Sequence, residues 1–144
     1  LIVWKSSSLL NFFIGVEKMT SIVIISHSED IAKGVKDLLN KMTNGVSVVA
    51  YGGVNGEIGT SYDDIEQLIN HLDDDALCFY DLGSSDMNID LAIDMYKGKY
   101  HIHKVNAPIV EGSFTAAMSL AIGKTANEAI QEVNKTSFKS TPFK

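Results

Sequence analysis

The sequence is a 144-residue chain with 45% hydrophobic residues and a formal net charge of −6, which is typical of one soluble globular domain. All twelve basic residues are lysines, so the chain offers no arginine for phosphate recognition, and its acidic balance argues against nucleic-acid binding. The single cysteine, Cys78, lies in an apolar run, which favours a reducing cytoplasm over a disulfide-stabilised protein.

The first eighteen residues differ in pattern from the rest of the chain. Their apolar run, residues 9–16, is too short to span a bilayer, and no small-residue cleavage site follows it. A regular pattern of elements begins at Met19. We therefore expect residues 1–18 to be an extension outside the domain, 19–134 to be the domain and 135–144 to be a tail, with no membrane insertion.

From Met19 onward, short apolar runs that predict strands alternate with helical spacing. The predicted strands are residues 22–25, 46–51, 76–80 and 100–105. In chain order, the predicted inward faces of the first four helices are Ile31, Val35, Leu38, Leu39 and Met42; Ile65, Leu68, Ile69 and Leu72; Ile89, Ala92, Ile93 and Tyr96; and Phe114, Ala117, Met118 and Ala121. Met42, Met87, Met95 and Met118 are expected to fill core or near-core space.

Start and stop signals mark the ends of these helices. They are Asn44-Gly45 after the first helix, Thr60 with Asp63 before the second, Lys97-Gly98 after the third and Gly123 after the fourth. Thr125 and Glu128 form a predicted capping box for a last helix near residues 126–134.

Strands that alternate with helices indicate an α/β fold. We expect an open, mainly parallel four-stranded sheet, with a fifth strand left open, and helices on both faces. Ligands bind such sheets outside the carboxyl ends of the strands. His27, the glycine-rich loop 52–59, the segment that begins at Asp81 and the loop around Glu111 all fall on that edge.

His27 lies two residues after the first predicted strand, and Asp81 directly follows the third. An imidazole can act as a nucleophile at neutral pH, although a histidine here could equally be a surface or capping residue. If the two strands are neighbours, the Asp81 carboxylate can accept a hydrogen bond from one ring nitrogen and leave the other exposed. The alternative for Asp81 is a solvated residue at a strand end.

Neutral donors surround this edge. The glycine-rich loop matches neither the dinucleotide fingerprint nor the P-loop, but it leads through Gly59 and Thr60 to a helix start, where a small anion is favoured. Ser84 and Ser85 do the same at the next helix. His101 and His103 share one face of the fourth predicted strand without an evident third ligand, so no metal site is predicted.

Four segments, taken together and in order, resemble the phosphotransferase subunits of bacterial dihydroxyacetone kinases, within the mannose-type enzyme IIA family of the phosphoenolpyruvate phosphotransferase system. They are IVIISHSEDIAKGV, GEIGTSYDDI, YDLGSSDMNID and APIVEGSF. The resemblance implies that His27 transiently carries a phosphoryl group on Nε2 and that Asp81 holds Nδ1. It places Gly59, Thr60 and Ser84 around the phosphoryl group, and it implies no permanently bound cofactor.

The resemblance also implies the partners. The phosphoryl group would come from the histidine-containing phosphocarrier protein and pass to ADP on the nucleotide-binding subunit of dihydroxyacetone kinase, and the chain would form a homodimer. One alternative is a mannose-type sugar-transport enzyme IIA, which usually has a Trp-Gly-Gly-Ser-Pro-like stretch where this chain has DLGSSDMN. The other is a non-catalytic module that binds a ligand phosphate.

Overall fold

The structure, a computed structural model, describes residues 19–136 and residue 138. Its strands and helices are, in chain order, β1 (Thr20–Ser26), α1 (Glu29–Met42), β2 (Val48–Gly52), α2 (Tyr62–Asn70), β3 (Asp75–Tyr80), α3 (Ser84–Met95), β4 (Ile102–Lys104), α4 (Ile109–Ala121) and α5 (Ala126–Lys135). Within these residues, no helix is both long enough and apolar enough to cross a membrane. The predicted extension, residues 1–18, and most of the predicted tail lie outside the described residues, so the domain boundaries stay predictions.

The described strands form one open sheet in the order β2-β1-β3-β4, and every neighbouring pair is parallel. The predicted α/β fold is confirmed, with four strands in the described range and not the fifth that the sequence left open. The chain moves from β1 to β2 on one side and then crosses to β3 on the other. The carboxyl ends of β1 and β3 therefore lie side by side at the point where the strand order reverses, which is where open α/β sheets bind ligands.

Both faces of the sheet are covered by helices because alternate side chains of β1 and β3 point to opposite sides. Ile24 and Phe79 pack with the buried faces of α1, α4 and α5, and Ile25 and Cys78 pack with those of α2 and α3. All four side chains are fully buried. Burial raises the pKa of the Cys78 thiol to about 12, so this cysteine is not a thiolate nucleophile at neutral pH.

Some helix positions predicted to face inward are exposed. They are Ile31, Leu38 and Met42 in α1 and Met118 and Ala121 in α4, and the predicted core methionines Met87 and Met95 of α3 are exposed as well. The buried stripe of α4 consists of small residues, of which Ala117 was predicted to face inward; they are Gly112, Ser113, Ala116, Ala117 and Ser119. Because small side chains fill little space, α4 can lie closer to the sheet than it could with large apolar side chains at these positions.

The ends of several elements also differ from the prediction. β2 begins at Val48, β4 spans only Ile102–Lys104, and α3 ends at Met95. The side chain that caps α2 belongs to Ser61, which accepts a hydrogen bond from the N–H of Asp64. The predicted cap was Thr60, one residue before Ser61. The predicted capping box of α5 is confirmed, with both of its reciprocal hydrogen bonds present.

Gly52 is required where β2 meets the segment that follows β1. A Cβ atom at this position would lie 2.6 Å from the carbonyl oxygens of both Ser26 and Ser28. We expect Gly52→Ala to lower the free energy of unfolding by roughly 2 kcal/mol, because backbone atoms cannot move aside cheaply. Urea denaturation would measure this change.

Gly34→Ala is the matched control for Gly52→Ala. Gly34 lies within α1, and a Cβ atom there would meet no atom within 4 Å. The substitution should raise the free energy of unfolding by about 1 kcal/mol, because alanine favours a helix interior more than glycine does. Equal effects of the two substitutions would contradict the close approach at Gly52.

Candidate functional site

His27 and Asp81 meet at the carboxyl edge of the sheet. Each directly follows its strand, and because β1 and β3 are neighbours, Nδ1 of His27 lies 2.9 Å from Oδ1 of Asp81. The two side chains are 15% and 14% exposed. The backbone N–H of His27 also donates to Oδ2 of Asp81 at 3.0 Å. One carboxylate therefore orients both the ring and the backbone of His27.

The Asp81 carboxylate accepts four hydrogen bonds. Oδ1 accepts from Nδ1 of His27 and from the N–H of Leu82 at 2.7 Å, and Oδ2 accepts from the N–H of His27 and from the hydroxyl group of Ser26 at 2.6 Å. Burial by itself would raise the pKa of Asp81, but the hydrogen bonds from Ser26, His27 and Leu82 outweigh it, and the pKa lies below its ordinary value. Asp81 is thus an anion at neutral pH.

The protonation of the His27 ring follows from this arrangement. An ionised carboxylate only accepts hydrogen bonds, so Nδ1 must carry the proton that it donates to Oδ1. In the neutral ring Nε2 is then the acceptor nitrogen. The hydroxyl oxygen of Ser84 lies 2.5 Å from Nε2, and its O–H group donates a hydrogen bond to that nitrogen. The nucleophilic lone pair therefore points towards the first residue of α3, which is exposed.

Lys104 fixes the helix that presents Ser84. Its ammonium group, at the end of β4, pairs with Asp86 and lies 2.7 Å from Oδ1 of Asp90, both on α3. It also lies 5.8 Å from the centre of the Tyr80 ring. Lys104 thus connects β3, β4 and the first turns of α3. These contacts help to hold the end of α3 that carries the Ser84 hydroxyl group.

The glycine-rich loop is a closed turn. Val54 and Glu57 exchange two backbone hydrogen bonds of 2.9 Å, and Gly53, Asn55 and Gly56 have positive φ angles of 77°, 52° and 80°. Glycine tolerates this conformation and asparagine adopts it more readily than most residues. The loop is therefore shaped by its own backbone.

Gly59 and Thr60 join this loop to the histidine and to α3. The N–H of Gly59 donates to the carbonyl oxygen of His27 at 2.8 Å, and Oγ1 of Thr60 lies 3.0 Å from Oγ of the buried Ser85. Both groups thus make contacts within the protein. Their predicted contact with a phosphoryl group stays a prediction, whereas Ser84 directly contacts His27.

Sequence reasoning missed Lys104 and the hydrogen-bond partners of Ser26 and Ser85. Ser26 directly follows the apolar run 22–25, and a hydroxyl group in that position was an available signal of a buried polar contact. Ser85 and Lys104 gave no comparable signal, because Ser85 bonds to a residue 25 positions away and Lys104 to one 18 positions away.

His101 and His103 lie elsewhere, since His101 directly precedes β4 and His103 is its middle residue. Their rings stack with centroids 6.5 Å apart, and they line a cleft of about 340 Å³ together with Thr20, Asp75 and the first residues of α5. Among residues 19–136 and 138, no three histidine, cysteine or acidic side chains converge in a way that could hold a metal ion.

Comparisons with known proteins point to one family. The family described as PTS system fructose IIA component matches residues 21–130. The chain is 44% identical over 113 residues to the PTS-dependent dihydroxyacetone kinase phosphotransferase subunit DhaM of Lactococcus lactis subsp. lactis, which covers 77% of this chain and 89% of that protein. It is 40% identical over 105 residues to the PEP-dependent dihydroxyacetone kinase 1 phosphoryl donor subunit DhaM of Listeria innocua serovar 6a, covering 72% and 83%.

A solved structure is also similar. The crystal structure of a protein of unknown function superposes with a TM-score of 0.77 at 30% sequence identity, covering 87% of this chain and 100% of that chain. The fold of the described domain is therefore shared with an experimentally determined structure.

Proposed function

Because the chain belongs to the family of PTS system fructose IIA components, we propose that it is the phosphoryl donor subunit of a phosphoenolpyruvate-dependent dihydroxyacetone kinase. In this proposal, Nε2 of His27 transiently carries the phosphoryl group, and no other cofactor is needed. The observation that carries the assignment of His27 is the 2.9 Å contact between Nδ1 and Oδ1 of Asp81. It directs the unprotonated nitrogen away from the sheet.

In the transfer step, Nε2 of His27 attacks phosphorus. The bond between phosphorus and the nitrogen of the donor phosphohistidine breaks, and the bond between phosphorus and Nε2 forms. The donor nitrogen keeps the electron pair, and the proton on Nδ1 of His27 stays in place. The ring gains positive charge as the new bond forms, and the adjacent Asp81 anion stabilises that charge.

Ser84 must yield its hydrogen bond before the attack. Its hydroxyl group donates to the lone pair that becomes the new bond. Once phosphorus occupies Nε2, the same hydroxyl group is free to donate to a phosphoryl oxygen. Ser84 also begins α3, whose N-terminal dipole favours a negative charge. A neutral hydroxyl group and a helix end bind the phosphoryl group weakly enough for it to be passed on.

The partners of the proposed relay are proteins. The donor is the histidine-containing phosphocarrier protein, and the acceptor is ADP on the nucleotide-binding kinase subunit. The ATP formed there then phosphorylates dihydroxyacetone, which is held by a third subunit. Docking of proteins is supported by three large apolar side chains, Ile58, Leu82 and Met87, which are 75%, 58% and 79% exposed. They lie one residue before Gly59, one after Asp81 and three after Ser84, and these three residues all contact His27. Such side chains at a reactive histidine favour contact with a protein surface. The proposed compartment is the cytoplasm.

Reconstitution tests the proposed function. The chain is incubated with radiolabelled phosphoenolpyruvate and the general phosphotransferase proteins, and the label is then chased with the ADP-bound kinase subunit. We expect acid-labile label on the chain and its transfer to ATP only when that subunit is present. Label that instead passes to a mannose-type permease complex would assign the chain to sugar transport. A chain that takes no label would favour a phosphate-ligand-binding module.

We further expect a homodimer whose interface leaves the His27 edge open to two successive partners. Family resemblance supports this proposal. Sedimentation equilibrium at micromolar concentration should give about twice the chain mass of 15.7 kDa. Ile58→Glu, which changes an exposed side chain next to Gly59, should leave the dimer intact. A monomeric wild-type chain, or loss of the dimer in Ile58→Glu, would contradict this arrangement.

A further inference from the structure

Ser26 holds the side of Asp81 that does not face the His27 ring. It is the last residue of β1 and is fully buried. Its hydroxyl group donates to Oδ2 of Asp81 at 2.6 Å, and its hydroxyl oxygen accepts from the N–H of Ser28 at 3.0 Å. The hydroxyl group is therefore fixed by one donor and one acceptor.

This bond restricts rotation of the carboxylate. Oδ2 is held by Ser26 and by the N–H of His27, while Oδ1 faces Nδ1 of His27. Rotation of the Asp81 carboxylate would break the bond to Nδ1, and the bond from Ser26 opposes that rotation. A ring that loses its fixed acceptor at Nδ1 can also place its proton on Nε2, where it blocks nucleophilic attack.

We propose that Ser26 is a positioning residue for phosphoryl transfer: its hydroxyl group orients the Asp81 carboxylate, which in turn keeps the His27 proton on Nδ1. The inference rests on the proposed function, since it concerns the phosphoryl-accepting nitrogen of the same site. Ser26 acts only through Asp81 and does not contact the phosphoryl group. Its effect is therefore on the fraction of molecules in which Nε2 is ready to react.

The chain provides a matched control on the same strand. Ser21, near the opposite end of β1, is 3% exposed and donates to Oδ1 of Asp74 at 2.7 Å. Ser26→Ala and Ser21→Ala therefore each remove one serine–aspartate hydrogen bond between β1 and the segments that flank β3. Ser26→Ala in addition removes the acceptor of the Ser28 N–H. Alanine adds no atom at either position, so neither substitution introduces a steric clash.

Two measurements test the proposal on the full chain. The first is the rate of phosphoryl transfer from the phosphocarrier protein to His27, and the second is the ring tautomer of unphosphorylated His27, read from ¹⁵N chemical shifts. We expect Ser26→Ala to slow transfer about tenfold, comparable to losing one hydrogen bond to a charged group, and to shift the ring towards a mixture of tautomers. Ser21→Ala should leave the rate within about twofold and the tautomer unchanged.

Three outcomes would overturn the proposal. These are a Ser26→Ala ring that keeps the wild-type tautomer, a wild-type transfer rate in Ser26→Ala, and equal slowing in both variants, which would indicate a purely structural role. If wild-type protein accepts no phosphoryl group, the proposed function fails. The comparison of His27 tautomers between the two variants then still decides whether Ser26 positions the ring.

Discussion

Replacing His27 with alanine should abolish phosphoryl acceptance while the fold stays intact. The substitution removes Nε2, the nitrogen that the Asp81 carboxylate and the Ser84 hydroxyl group define as the acceptor side of the ring. Ser84, the described side chain that contacts Nε2, cannot replace it, because it is a neutral hydroxyl group whose contact with a basic nitrogen is lost once the ring is gone. His27 lies after the end of β1, so the buried strand itself is unchanged.

Label from phosphoenolpyruvate, measured after incubation with the general phosphotransferase proteins, checks this expectation. His71→Ala is the matched control, because His71 is an exposed histidine whose Nδ1 lies 2.7 Å from the carbonyl oxygen of Gln67. It should be labelled like wild type. Acid-labile label on the His27→Ala protein would remove His27 from the relay, and circular dichroism would show that the variant is folded.

Asp81→Asn should slow phosphoryl transfer by roughly a hundredfold or more, in line with the contribution of positioned acid–base groups. The amide keeps the shape of the carboxylate but replaces one acceptor oxygen with a donor NH₂ group. In the wild-type protein both carboxylate oxygens face donors. Oδ2 accepts from the Ser26 hydroxyl group and the His27 backbone N–H, and Oδ1 accepts from Nδ1 of His27 and the Leu82 N–H. Either orientation of the amide therefore opposes a donor to a donor, and it removes the charge that stabilises the ring during transfer.

Rapid-quench measurement of transfer from the phosphocarrier protein, compared between wild type and Asp81→Asn, gives the expected ratio. Asp74→Asn is the control, since Asp74 also accepts a serine hydroxyl group but lies at the opposite end of β3 from Asp81. Its transfer rate should match wild type. Equal rates in Asp81→Asn and wild type would leave His27 oriented by the backbone alone.

The same substitution should also change stability in a pH-dependent way. The pKa of Asp81 in the folded protein is below its ordinary value of 3.8. The ionised carboxylate therefore stabilises the fold fully at pH values above that ordinary value, and this contribution is lost as the pH falls through the lower folded pKa. The stability difference between wild type and Asp81→Asn should accordingly be largest near neutral pH and shrink in acid, as urea denaturation at several pH values would show.

Several features of the site could be predicted because they depend on where strands end. The position of His27 two residues after the apolar run 22–25 places it on the ligand-binding edge of any parallel sheet. Asp81 is placed on the same edge by the same reasoning. Whether the two side chains touch was conditional on β1 and β3 being neighbours, and the structure supplies that condition.

The small-residue stripe of α4 shows the limit of apolar periodicity. Phe114 and Met118 were predicted to face inward because large apolar residues dominate such patterns, yet Met118 is exposed and Phe114 is only partly buried. Ala117 is fully buried as predicted, and so is Ala116, which was not among the predicted inward residues. The periodicity identifies the helix. Which face of the helix is buried depends on how closely the helix approaches the sheet, and this distance is set by the side chains of both surfaces.

Local sequence patterns predict the α/β class, the edge that carries the reactive residues and the capping box of α5, because each depends on interactions between residues a few positions apart. Tertiary packing sets the strand order, the four donors around Asp81 and the contact of Ser84 with Nε2. The contacts of His27 with Asp81 and Ser84 join residues 54 and 57 positions apart. Such contacts arise when helix packing on the two faces of the sheet sets the order and register of the strands, and no local pattern encodes that order.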